Sequence, residues 1–550
     1  MRAAAALIVF TAACAPARPP ADSAATAAVR YFGDVTPPAG QVFRFNNGSE
    51  PETIDPTLMS GQPDGRVARI LFEGLTTPNP ETLAPEPGQA YRWEISADGL
   101  TYTFHLRPRI VWTDGQPVTS HDFVYGWLRA LKPVNAARNA QLLYPIENAE
   151  AYNNGGLTDS SRVGLVGPDD STLIVKLHSP TAHFLELTQY YTLLPVPRRA
   201  IERHGNRWTR AENIATNGPF RLERWKPGDR FDFVKNPTYW DAASVKLQRI
   251  VAYALDDLNT MTNLYKAGVV DWNPSGYVPN QYVPYMRAYA DYRTGEYHGT
   301  YWYSINVTRK PFDNVWVRRA LNFAVDRDAI CNDLLKKMYR PWGLMAPSGY
   351  PGYTPPQPVT YDAARARECL AKAGYPGGKG FPKISILFNT SENHRRIAEA
   401  IQAMWKRDLS IDVELSNQEW GSYLQACSGL QYDVARRSWI GDYVDPNTFL
   451  GIMATGDGNN RTGWSNKSYD DLLSRAGREL DPAHRLQLLS QAEAILLDEA
   501  PVIPIYHYST SELVKPYVRG LYNTVLDTHP LKHVWIDHGW DKSREQITQR

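Results

Sequence analysis

The stretch Lys383–Asn417 most narrows the folds open to this chain. It reads KISILFN, then ENHRRIAEAIQAMWKRDL, then IDVELSN. The outer pieces have the composition of strands, and the middle one carries apolar residues at helical spacing. Strand, helix and strand of these lengths make a βαβ unit with parallel pairing. Elsewhere the pattern differs. YRWEIS and LTYTFHL flank the turn Ala97-Asp98-Gly99, which predicts an antiparallel hairpin. VWTDGQPVTSHDFVYGWLRAL then changes period: Thr119 and Asp122 resemble a capping box, and Phe123, Val124, Trp127, Leu128 and Leu131 form an apolar helical face. YDAARARECLAKAGYP is another helix, ended by Gly374 and Pro376. The class is mixed α/β. At 550 residues the chain exceeds one compact core, so several lobes are expected. No repeat of solenoid period organises them.

Composition excludes more than it selects. Hydrophobic residues are 43% and charged residues 21%, ordinary for a soluble globular protein. A formal net charge of +1 gives no field for nucleic acid or an anionic membrane. The aromatic content is high, with 32 Tyr and 16 Trp. Large cores explain that, and so does an aromatic-lined binding surface; composition does not separate them. The opening MRAAAALIVFTAAC has the build of a short export signal, with Arg2, an apolar run through Phe10 and small residues before Cys14. Small residues ending at a cysteine resemble a bacterial lipoprotein signal, although Thr11 stands where leucine is usual. Residues 15–41, rich in Ala and Pro, read as a tether. No later stretch is apolar enough for a transmembrane helix. Cys331, Cys369 and Cys427 leave two readings, one disulfide with a spare thiol or three buried thiols.

RRSWIGDYVDP, Arg436–Pro446, sets a base and an acid among aromatics. Such charges are costly unless neutralised by each other, by a structural neighbour or by a ligand charged at both ends. Asp433 and Asp445 are candidate surface partners for Arg436.

EGLTTPNPETLAPEPGQAYRWEISADGLTYTFHLRPRIVWTDGQPVTSHDF resembles the signature of the peptide-binding family of ABC-importer solute receptors. TNGPFRLERW, NPTYWD, INVTRKPFDNVWVRRALNFAVDRDAI, NTSENHRR, SNQEW and YDVARRSWIGDYVDP follow in family order. The resemblance spans about residues 42–540 and is nearest to the periplasmic oligopeptide-binding proteins. It implies a periplasmic-binding-protein clamshell of two lobes with an additional domain. Lobe I would take residues 42–72, 195–298 and 513–550, the additional domain 73–194 and lobe III 299–512, after a 1–14 signal. It implies a monomer that captures extended oligopeptides and delivers them to an ABC permease, at the periplasm or the outer face of the membrane. No cofactor and no metal are expected.

By the same resemblance, Asp442 takes the ligand's α-ammonium and Arg436 its carboxylate, with His394 reaching the carboxylate of longer ligands. Ser438, Trp439 and Ile440 offer backbone groups. Trp420 lines a pocket, Tyr297 and Trp302 lie on a cleft strand, and Gly61 with Gln62 pairs from the opposite lobe. Trp420 and Trp439 are equally candidates for the core. The sequence also departs from the family. Cys427 replaces a second arginine, Ser60 an acidic residue, and Arg138 or Asn139 falls at a cleft tyrosine. A disulfide of some relatives would join the positions of Gly299 and Ile440, neither a cysteine here. Cell-wall peptides, nickel complexes, haem or oligosaccharides remain alternative ligands of this architecture. A hydrolase is the rival class, but GxSxG and HExxH are absent. His529, His533 and His538 lie around Pro530, which argues against a metal-binding helix.

Overall fold

The computed structural model describes residues 29–540 apart from Glu52 and Ser60. Cys14, the expected signal and most of the expected tether lie outside the described residues.

Two large sheets organise the molecule. The seven-stranded one runs, edge to edge, Tyr292–Arg293, Glu512–Val514, Trp272–Asn273, Val42–Gly48, Arg249–Ala254, Arg230–Lys235 and Phe220–Lys226. The six-stranded one runs Arg340–Pro341, Val502–Ser509, Glu296–Ile305, Val434–Ile440, Ile384–Asn389 and Val413–Gln418. A smaller four-stranded sheet comes from residues between the first two contributions to the seven-stranded sheet. The fold is the three-part α/β clamshell.

The local readings explain the elements. Ala90–Ile95 and Thr101–Leu106 form the antiparallel hairpin. Thr119 and Asp122 cap the helix Ser120–Leu131 reciprocally, and that helix buries Phe123, Trp127 and Leu131. Ile384–Asn389 and Val413–Gln418 pair in parallel across the helix Glu392–Leu409.

Core packing divides the molecule in two. Phe43 and Phe233 of the seven-stranded sheet share one apolar cluster with Phe104 and Val175 of the four-stranded sheet. The additional domain therefore shares a core with that lobe. The six-stranded sheet packs on both faces: Tyr301 and Tyr303 join one cluster, Trp302 the other, as strand alternation requires.

The chain passes between the lobes twice, near residues 293–296 and 509–512. These passages pair with each other throughout. Arg293 faces Glu512 in one sheet, and Glu296 faces Ser509 in the other. Between them Thr510 N donates to Gly295 O at 2.9 Å, and Thr294 Oγ1 donates to Thr510 O at 2.9 Å. The hinge is a two-stranded ribbon.

Candidate functional site

The strand Val434–Ile440 is paired along one side from Val434 to Ile440. On its other side it meets Ile384–Asn389 only at Val434 and Ala435. Beyond them no described strand occupies that edge, and an extended guest can add to it. Arg436 to Ile440 spans roughly 13 Å at ~3.3 Å per residue, the scale of a short extended peptide.

Arg436 marks one end. Asp433 pairs with Arg309 and Asp445 with Arg485, so neither expected surface acid serves it. Its guanidinium donates to Ser438 Oγ at 3.0 Å and Asn389 Oδ1 at 3.4 Å, and lies 4.8 Å from the Tyr301 ring centre. Nε is buried without a partner. Burial opposes its charge, yet Tyr301, Tyr508, Tyr423 and Tyr506 together raise its pKa above the ordinary value. No described carboxylate pairs with it. His394 Nδ1 lies 3.2 Å from Tyr301 Oη. Burial first, and the Arg436 charge second, push the His394 imidazole down to about 3. The guanidinium and the neutral imidazole both lie against Tyr301.

Asp442 marks the other end, in the wall of a cavity of about 240 Å³. Gly61, Gln62 and Arg69 of one lobe, Glu186, Tyr190 and Tyr191 of the additional domain, and Ile440–Val444 line it together. His183 stacks on Tyr443 at 4.0 Å and 4°, which closes the additional domain over this end. The Asp442 amide donates to Thr448 Oγ1 at 3.1 Å, fixing the loop. No described cation pairs with its carboxylate, and burial pushes it up to about 6. A buried acid without a described base is neutralised by a proton or by a cation.

That shift has a sign that can be measured. The folded carboxyl holds its proton to a higher pH than the ordinary 3.8, so this group makes the empty protein less stable as pH rises from 3.8 to about 6. An arriving ammonium draws the pKa back down. A peptide carrying a C-terminal amide should therefore release protons on binding near pH 6, and take protons up at about pH 8, where its own amino group is partly neutral before it binds as ammonium. Calorimetry in buffers of different ionisation heat counts them; a count independent of pH would refute the assignment.

The other expected residues divide. Tyr297 lines the cavity, and its hydroxyl accepts from Gln62 Nε2 at 3.4 Å, which joins the strand Glu296–Ile305 to the helix Gln62–Leu71. Gly61 precedes the helix Gln62–Leu71 at the cavity edge. Ser438 holds Arg436, and Ile440 lines the cavity. Trp439 faces the other side of the sheet, where Nε1 donates to Thr448 Oγ1 at 3.5 Å; its side chain supports the Asp442 loop. Trp302 lies on the strand Glu296–Ile305; its side chain is 1% exposed in the lobe core, with Nε1 donating to Ser304 Oγ at 3.0 Å, because strand alternation turns it away from Tyr301 and Tyr303. Trp420 opens the helix Trp420–Ser428, and its side chain lies outside the described residues.

The departures are also placed. Gly299 and Ile440 face each other in the ladder, and a Cβ on Gly299 would collide with Ile440 Cδ1. Packing joins the strands where the disulfide would stand. Cys331, Cys369 and Cys427 are all free and buried. Asn139 Nδ2 donates to Tyr191 Oη at 3.2 Å and so supports the cavity wall. The sequence reading missed Arg69, Glu186, Tyr190 and Tyr191. No motif marks them, and the adjacent tyrosines were the only available signal.

A hinged cleft between two lobes, with one wall from an inserted domain, defines the clamshell class of solute-binding proteins. The chain belongs to the bacterial extracellular solute-binding proteins, family 5, whose middle-region model matches residues 84–461. It is a solute-binding protein and not an enzyme. It is 36% identical over 489 residues to the oligopeptide-binding protein OppA of Bacillus subtilis, covering 87% of this chain and 89% of that one. It is 36% identical over 512 residues to the probable deoxycholate-binding periplasmic protein YgiS of Escherichia coli, covering 90% and 94%. Haemophilus influenzae OppA, solved in complex with RPPGFSPFR, superposes with a TM-score of 0.75 at 32% identity, covering 91% of this chain and 100% of that one. The family is extracellular or periplasmic, and no described helix is long and apolar enough to cross a membrane.

Proposed function

We propose that this protein is an extracytoplasmic receptor that captures oligopeptides in extended form and delivers them to an ABC-type import permease. One observation carries the reading: an open strand edge runs between an unpaired buried acid, Asp442, and an arginine without a carboxylate, Arg436. A peptide laid antiparallel on that edge brings its ammonium to the first and its carboxylate to the second. Side chains then enter hollows that water can share, so sequence matters little. The similarity to OppA proteins supports the same reading. The relative named for deoxycholate suggests a second ligand class. A bile acid offers a carboxylate for Arg436 but no cation for Asp442, so the site favours the peptide.

Ligand binding to the closed form raises thermal stability and reduces the radius of gyration. A mixed tri- to pentapeptide digest should raise the melting point and compact the protein in small-angle scattering, while deoxycholate should not. A shift with deoxycholate alone would reverse the assignment.

The reading includes a lobe assembled from residues 42–72, 195–298 and 513–550, an additional domain of 73–194 and a lobe of 299–512, acting as a monomer. It also includes export by residues 1–14 and lipidation at Cys14. Mature protein should partition into detergent and carry acyl mass, and Cys14→Ser should release it. Mature wild type cleaved elsewhere and freely soluble would end the anchoring claim.

A further inference from the structure

We propose that Arg69 is a specificity-determining residue of the cleft, recognising an anionic side chain on the first residue of the bound peptide. This rests on the peptide reading above. Arg69 lies in the last turn of the helix Gln62–Leu71, and its side chain lines the same cavity as Asp442. Its neighbour one turn back, Arg66, is paired with Asp527 at 2.5 Å. Arg69 itself makes no ion pair or hydrogen bond with any described residue. Its guanidinium lies 5.8 Å from the Tyr191 ring centre, and its Nε is buried without a partner. Burial pushes its pKa below the ordinary arginine value, the mark of a charge with little compensation.

No described acid is paired with Arg69. Asp527 is held by Arg66 and by His529. Glu186 lines the cavity, but the charges that act on it are Asp445 and Arg485, and burial raises it to about 7. Asp442 and Arg69 both act on the hydroxyls of Tyr190 and Tyr191, which join at 2.9 Å, yet they form no ion pair. Arg69 thus shares one cavity with Asp442, so a ligand whose ammonium meets Asp442 carries its first side chain into the cavity that Arg69 lines. A second, smaller hollow also has Arg69 in its wall, with Thr77, Gln189 and the Glu73–Lys532 pair, joined at 3.2 Å. An aspartate or glutamate side chain reaching this point supplies the two parallel acceptors that a planar guanidinium matches.

The experiment compares Glu-Ala-Ala, Gln-Ala-Ala and Ala-Ala-Ala by calorimetry on the wild type and on Arg69→Gln and Arg69→Lys. Hydrogen bonds to charged groups lead to a Glu-to-Gln preference of roughly ten-fold or more on the wild type. The preference should vanish in Arg69→Gln and shrink in Arg69→Lys. A preference near one on wild type that binds all three peptides overturns the role of Arg69 alone. A preference that survives in Arg69→Gln, or equal losses for all three peptides, also overturns it, since Arg69 would then act only by offsetting Asp442. Failure of every peptide to bind the wild type overturns the peptide reading itself.

Discussion

Replacing Asp442 with alanine should weaken short peptides by tens to thousands of fold, because losing one member of a buried charge pair costs roughly 2–5 kcal/mol. The reason is on both sides of the contact. The carboxylate has no cation partner among the described residues, and its raised pKa reflects a charge that burial disfavours. The ligand ammonium would face the same desolvation without it. Asp442→Asn keeps the shape and one acceptor, so its loss isolates charge. N-acetylated peptides test the contact from the ligand side: they should bind the wild type poorly and lose little more on mutation. A purely structural Asp442 would behave otherwise, lowering the melting point of the empty protein and weakening free and acetylated peptides alike. Calorimetry on the two proteins with the two ligands decides, and equal losses would remove the ammonium-anchor role.

Arg66→Met should destabilise the fold by about 3–5 kcal/mol, the cost of stranding one buried ion of a pair. Arg66 Nη2 meets Asp527 Oδ2 at 2.5 Å, with both side chains almost wholly enclosed, and Nη1 donates to Asn47 O at 3.2 Å. The contact fastens the helix bearing Gln62 and Arg69 to the C-terminal segment that completes the cavity with Leu526 and Thr528. Burial opposes ionisation of Asp527, but Arg66 and His529 hold its pKa below 3.8. That contribution is therefore full above pH 3.8 and is lost as pH falls through the lower folded value. Without Arg66 the sign reverses, and acid should help the variant relative to the wild type. The double variant Arg66→Met with Asp527→Leu should recover much of the loss. Denaturant midpoints at neutral and acidic pH measure all three. An unchanged midpoint in the single variant would show the pair to be dispensable.

Local structure was legible where sequence neighbours decide it. The Asp98-Gly99 hairpin, the Thr119–Asp122 cap and the parallel unit around Glu392–Leu409 each rest on contacts within one short segment. The charged ends were visible too, since Arg436 and Asp442 share one strand and its following loop, although the resemblance supplied their roles. Alternation in EYHGTYWYS could not place Trp302, because both faces of that sheet are apolar and only tertiary packing says which one looks into the cleft. The cavity wall was hidden for another reason. Arg69, Glu186 and Tyr297 come from segments more than a hundred residues apart, and nothing local marks their meeting.

The paired ribbon at the hinge carries a mechanical consequence. Twisting the two passages apart would break the bonds between Gly295, Thr294 and Thr510, whereas bending them leaves those bonds in place. The joint is thus stiff in torsion and compliant in flexion. In the receptor reading proposed above, the outer surfaces of the lobes would act as the jaws of a caliper whose single reading is set by what lies inside. A membrane partner that grips both jaws at once can measure occupancy as one distance, without touching the cargo.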